Sequence, residues 1–146
     1  MRREVERKFK ITQYDPQRLR PGKRIEQGYL SFSPEVRVRI RGKEATLTVK
    51  GRGTIERQEF EYPIPISDAE KLLKMTDCQI SKVRHEVERL EIDVFGGKLK
   101  GLVLAEAELK ERADAVRKPM WLEWEEVTGD ERYLNRNLAR HGIPDE

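Results

Sequence analysis

The chain of 146 residues has one cysteine, Cys78, and two histidines, His85 and His141. A lone thiol excludes an internal disulfide framework. The three residues also lack the spacing of a zinc site, which leaves little for transition-metal chemistry. No stretch approaches the roughly 18 consecutive apolar residues of a membrane span, and no apolar run of a secretory leader opens the chain, so a cytoplasmic protein with no membrane partner is expected. There is no GxxxxGK[ST] phosphate loop and no Ser/His/Asp or Cys/His arrangement for nucleophilic catalysis. Aromatic residues make up 7% and hydrophobic residues 36%, so material for an apolar core is scarce.

What is present instead is charge. Charged residues are 39% of the chain, 30 basic against 27 acidic, for a net charge of +3. The two signs are interleaved, and so small an excess excludes a dedicated nucleic-acid coat. The length fits one domain spanning 1–146, and regular alternation argues against the disorder that such a composition otherwise suggests.

The alternation has period two, the mark of strands with two unlike faces. The opening stretch EVERKFKI puts Glu4, Glu6, Lys8 and Lys10 on one side and Val5, Phe9 and Ile11 on the other. In EVRVRIRG, Val36, Val38 and Ile40 alternate with Arg37, Arg39 and Arg41; EATLTVKG and RQEFEYPI repeat the pattern with Lys50, then Arg57, Glu59 and Glu61. QISKVRHEVERLEIDVFGG is long enough for two strands, bearing Lys82 and Arg84, then Glu91 and Asp93, with a tight turn near Glu88 or Arg89.

LVLAEAELKERADAVRK is ambiguous, because Ala and Glu favour helices. In a strand Glu106 and Glu108 share a face, whereas a helix sets them about 200° apart. Two helices are expected elsewhere. SDAEKLLKM has a capping-box spacing in Ser67 and Glu70, and Thr128 with Glu131 opens a C-terminal helix that ends near Gly142.

Seven or more strand faces are therefore largely ionic. A wet outer surface would mix in more Ser, Thr, Asn and Gln; the alternative is a closed antiparallel barrel with the charge inward and the apolar face outward under helices. Buried charge needs water, counter-charge or an ionic ligand. Lysines and arginines from several strands suit a polyanion, and carboxylates two residues apart, their Cα atoms about 7 Å apart along a strand, suit a hard divalent cation such as Mg²⁺ or Mn²⁺. Together they point to a metal–polyphosphate complex.

The motif EVERK resembles the ExExK signature of the CYTH superfamily, the triphosphate tunnel metalloenzymes. The ordered series EVERKF, QGYL, VRVR, LTVKG, RQEFEY, KVR, LEIDVF, AEAEL and EEVTGDERYLNRNLA extends the resemblance over residues 4–139, most nearly to short bacterial members that hydrolyse inorganic triphosphate. It implies a mainly β fold: a closed tunnel of eight antiparallel strands with helices outside and a C-terminal helix at one mouth. It further implies that Glu4, Glu6, Glu106 and Glu108 bind metal, two Mg²⁺ or Mn²⁺ ions per site, with Glu59, Glu61, Glu91 and Asp93 as further tunnel acids. Lys8, Arg37, Arg39, Lys50, Arg57, Lys82 and Arg84 are the implied phosphate ligands, and Arg41 is a weaker candidate. The same resemblance favours strand over helix for the AEAEL segment and implies a homodimer.

Lys8, Tyr29 and Glu61 are the candidate catalytic residues. Tyr29 either acts as a phenolate, its pKa lowered by Lys8, or is a packed tyrosine. Trp121 and Trp124 either stack a nucleobase or cover the barrel exterior. A small-molecule polyphosphate is the expected partner. Thiamine triphosphate or nucleotide hydrolysis, class IV adenylate cyclase chemistry, a polyphosphate or RNA 5′-end binding module without turnover, and a purely structural charged sheet stand as alternatives.

Overall fold

Period-two alternation carries through most of the chain as strands. The computed structural model describes residues 5–51, 58–109 and 115–145. In chain order they form β1 (Val5–Tyr14), β2 (Lys23–Phe32), β3 (Glu35–Arg41), β4 (Glu44–Lys50), β5 (Glu59–Ile64), α1 (Ile66–Leu73), β6 (Gln79–Val87), β7 (Leu90–Phe95), β8 (Val103–Leu109), β9 (Leu122–Glu126) and α2 (Asn135–His141). The strands make one antiparallel sheet in the order β5-β4-β3-β2-β6-β7-β8-β1-β9.

The expected eight-stranded antiparallel architecture is thus corrected in its strand count. Among the described residues the sheet has nine strands, because the tryptophan segment supplies β9, which pairs with β1. Among the described residues the edge strands β5 and β9 do not pair with one another, so the sheet is open there.

The alanine-rich AEAEL segment is a strand, β8, against its local propensity. Ala105 lies between Phe9 of β1 and Ile92 of β7 and is fully buried. A small side chain fits between two large neighbours on that apolar face, and packing overrides intrinsic helix preference.

The apolar face is covered in two parts. Over β2 to β5, α1 places Ala69, Leu72 and Leu73 against Val38, Ile40, Ala45 and Leu47. Gly28 of the QGYL motif lies under this helix, and a Cβ there would come within 2.9 Å of Leu73 Cδ2. Over β1, β7 and β8 the cover is not a helix: Val116, Trp121, Leu122 and Trp124 pack on Phe9, Ile11, Ile92 and Val103. Trp124 stacks on Phe9 with centroids 3.9 Å apart.

Neither expected capping box forms. The N-cap of α1 is Pro65, with no side-chain capping bond. Thr128 instead accepts the backbone N–H of Lys8 at 2.9 Å and donates to Glu126 at 2.7 Å, tying the chain after β9 to β1. A short 3-10 turn at Glu131–Tyr133, capped by Asp130, precedes α2, which does stop at Gly142. α2 lies at one end of the ionic face, where that face turns apolar: Tyr133 and Leu138 pack with Tyr29, Ile80, Phe95 and Leu104.

The turn between β6 and β7 falls on Glu88 and Arg89, both with positive φ (49° and 66°), as a two-residue hairpin turn of the I′ class requires. Trp121 Nε1 donates to Glu88 Oε2 at 2.8 Å and fixes the turn to the loop beneath it. A non-glycine residue in this region carries strain. Arg89→Gly is therefore expected to raise unfolding stability by about 1 kcal/mol, read as a higher urea midpoint at unchanged slope. A lower midpoint would show that the Arg89 side chain contributes more than its backbone costs.

Candidate active site

Register places the charged residues of eight strands on one face. Along β1 and β8, Glu6 stands opposite Glu108 and Lys8 opposite Glu106; Glu106 in turn faces Glu91 of β7, and Asp93 faces Arg84 of β6. On the other side of β2, Arg37 and Arg39 of β3 face Tyr29 and Gln27, and Thr48 of β4 links Arg37 to Glu61 of β5. Glu4 and Arg57 lie outside the described residues.

The acids gather at one end. Glu6, Glu86, Glu91, Glu106 and Glu108 line a cavity of about 410 Å³ at the mouth nearest the β6–β7 turn. The Glu6 carboxyl is pushed up from its usual range, first by the negative charge of Glu106, then by burial and a hydrogen bond to Glu106, with Lys8 opposing. Crowded oxygen donors that resist ionising together are the donor set a hard dication stabilises. Among the described residues no three acid, His or Cys side chains are yet close enough to share one metal ion.

The centre holds a buried clamp. Asp93 accepts Nε and Nη2 of Arg84 at 2.8 and 3.0 Å and pairs with Lys82 Nζ at 2.8 Å. Lys82 is 2% exposed and Asp93 8%. Burial disfavours the charge on each, but Asp93 has two cations and its carboxyl is held below the usual range. Lys82 has one carboxylate against burial and the repulsion of Arg84 and Arg39, and its ammonium is pushed down. Arg84 is pushed up, chiefly by the bond to Asp93, and also pairs with Glu91 at 3.4 Å.

Toward the capped end the face is basic. Arg39 Nε donates to Gln27 Oε1 at 3.0 Å, and Gln27 Nε2 donates to the Tyr29 hydroxyl at 3.0 Å. The Arg39 guanidinium is pushed down by burial and by the charges of Arg37 and Arg84. Among the described residues Arg37 Nε is a buried side-chain donor with no partner. Burial pushes the Tyr29 phenol up, with Arg37 opposing, so at neutral pH it keeps its proton, contrary to the phenolate reading. Lys50 pairs with Glu35 at 3.7 Å. Lys8 lies between the two regions, 3.8 Å from Glu106 and donating to the Tyr133 carbonyl at 3.2 Å. Glu59 and Glu61 are exposed on the edge strand β5, and Arg41 is exposed at the turn between β3 and β4.

Trp121 and Trp124 belong to the opposite, apolar side of the sheet, so they do not serve as a base-stacking platform for the ionic face. Sequence alone missed Gln27, Glu35, Asn135 and Arg136. The available signals were the odd-numbered phase that Glu35 shares with Arg37 and Gln27 with Tyr29, and the polar pair that opens the C-terminal helix.

A CYTH domain model matches residues 2–142. The chain belongs to the CYTH family. This CYTH chain is 39% identical to an inorganic triphosphatase of Acetivibrio thermocellus, over 97% of its length and 96% of the relative's. It is 36% identical to an inorganic triphosphatase of Nitrosomonas europaea, over 93% and 96% of the respective lengths. A crystal structure of an inorganic triphosphatase superposes on it with a TM-score of 0.79 at 34% identity, covering 99% of each chain. No helix among the described residues of the CYTH chain is long and apolar enough to cross a membrane.

Because the folded Asp93 carboxyl lies below its ordinary value of 3.8, it stabilises the fold above that pH, and the gain is lost as pH falls through the folded value. Asp93→Asn is expected to cost about 3 kcal/mol at neutral pH in urea unfolding and to flatten the acid limb of the stability–pH curve. An unchanged midpoint would show that the clamp contributes nothing to stability.

Proposed function

We propose that this CYTH domain hydrolyses inorganic triphosphate to pyrophosphate and phosphate with a divalent cation, Mg²⁺ or Mn²⁺. The observation that carries the proposal is the segregation of charge along one face: carboxylates around the cavity at one end, Arg37, Arg39 and Lys50 toward the other, with Lys8 between them. The names of the two relatives and of the solved structure agree with it. The open sheet seen among the described residues is, on this proposal, the wall of a closed tunnel.

Glu6, Glu106 and Glu108, with Glu4 as the fourth expected ligand, are all-oxygen donors of the kind a hard dication takes, and on this proposal the cation would draw them closer together than they stand in its absence. Such a cation, when bound, polarises phosphate oxygens as a Lewis acid. The chain's own residues supply the rest. Arg37, Arg39 and Lys50 neutralise and orient the phosphate oxygens, so that the terminal phosphoanhydride is directed toward the acidic mouth. Lys8, beside Glu106, offers its ammonium to the phosphate nearest the acids. Arg84 and Lys82 act with Asp93 between them, which fixes their direction. Arg57 is assigned to the same phosphate-binding set.

Tyr29, holding its proton, donates a hydrogen bond rather than accepting a proton. Glu61, in register with Thr48 and Arg37, and Glu59 beside Lys50 are carboxylates at the basic end rather than at the acidic mouth, so on this proposal they orient the phosphate-binding cations there instead of assisting the attacking water. The placement of both tryptophans on the apolar side favours a naked triphosphate over a nucleotide.

Phosphate release from tripolyphosphate is expected to require Mg²⁺ or Mn²⁺ and to exceed release from ATP or thiamine triphosphate. Glu106→Gln should lower kcat about a hundredfold. Tight binding of tripolyphosphate with no phosphate released would replace the enzyme with a binding module.

Since the Glu6 carboxyl is raised, protons compete with the cation as pH falls toward the carboxylate range. The apparent metal Kd, read from Mn²⁺-dependent melting shifts, should rise with acidity, and more shallowly in Glu6→Gln. A parallel pH dependence in both proteins would exclude Glu6 from the metal site.

A further inference from the structure

Glu35 is a buried carboxylate, 8% exposed, that the hydrolysis proposed above does not use. It opens β3 on the same face as Arg37 and Arg39, opposite Lys50 of β4. Its two oxygens serve different elements: Oε2 is 3.7 Å from Lys50 Nζ, and Oε1 is 4.0 Å from Nη1 of Arg136 on α2. The residue before Arg136, Asn135, receives Lys82 Nζ at 3.5 Å.

A carboxylate among cations that face a polyanion poses a conflict. By direct Coulomb repulsion it weakens anion binding. Its geometry does something else, because one anion shared by Lys50 and Arg136 holds a strand side chain and the first turn of α2 in fixed relation. Lys and Arg side chains each lose substantial rotamer freedom on binding a ligand, and orienting them beforehand removes that cost from the binding step.

We infer that Glu35 is a positioning residue: it holds Lys50, and through Arg136 the start of α2, around the basic end of the site, so that triphosphate meets cations already in place. The inference rests on the proposed triphosphate site and commits to a sign. If Glu35 were a mere counter-charge, neutralising it would tighten binding of the polyanion. As a positioning group, its loss loosens binding.

The test compares the wild-type protein with Glu35→Gln, Glu35→Asp and Arg136→Ala, all first shown to melt cooperatively. KM for tripolyphosphate is expected to rise about fivefold in all three, with kcat little changed. Glu35→Asp keeps the charge but shortens the reach, so its agreement with Glu35→Gln separates orientation from charge. The double variant Glu35→Gln with Arg136→Ala should be no worse than either single variant. Hydrogen exchange of the α2 amides, residues 135–141, should accelerate in Glu35→Gln without any substrate present.

A lowered KM in Glu35→Gln, or unaltered α2 exchange with additive KM effects, would overturn the inference. Should the wild type neither bind nor turn over tripolyphosphate, the proposed function fails instead, and the exchange measurement still decides whether Glu35 anchors α2.

Discussion

The molecule depends on putting unlike charges on one face of a sheet and, among the described residues, on pairing the most deeply buried of them, Lys82 with Asp93. A buried ion left alone costs several kcal/mol, and a pair of ions recovers that cost only with good geometry. The Asp93 clamp meets the requirement with one carboxylate between Lys82 and Arg84. The arrangement is not neutral everywhere: the mouth has an excess of acid and the capped end an excess of base. On the proposed function, these two local imbalances are what a metal ion and a polyanion would complete.

The sheet curls around the segment from Tyr133 to Arg136. Tyr133, Asn135 and Arg136 touch Lys8 of β1, Lys82 of β6 and Glu35 of β3 respectively. β3 and β1 stand five places apart in the sheet, about 24 Å if it were flat. So short a segment bridges them because the sheet bends around it. The expected C-terminal helix at one end is present, and its first residues, Asn135 and Arg136, reach Lys82 of β6 and Glu35 of β3.

Much of the architecture was legible in the sequence, because a two-residue period is a strong signal when one phase is ionic and the other is Val, Ile or Leu. The Arg37–Arg39 strand, the Lys82–Arg84 strand and the turn at Glu88 and Arg89 were all found this way. β9 was not, since PMWLEW is short and reads equally well as exterior cover, which it also provides. The capping boxes failed because Ser and Thr have rival uses: Thr128 binds the Lys8 backbone of another strand, a partner that local sequence cannot reveal. Glu35 and Gln27 escaped for a similar reason. A single polar residue in a strand acquires meaning only when its neighbours across the sheet are known.

The pairing of β1 has a temporal consequence. The strand that bears Glu6 and Lys8 emerges before the other described strands during synthesis, yet both of its partners, β8 and β9, come roughly a hundred residues later. Lys8 and Thr128, joined through Lys8 N–H, are 120 positions apart. The consecutive hairpins from β2 to β5 and from β6 to β8 can zip as they leave the ribosome, but the first strand must wait for nearly the whole chain. The wall that carries the acidic end of the site is therefore among the last parts completed, and a truncated translation product would carry most of the basic wall without it.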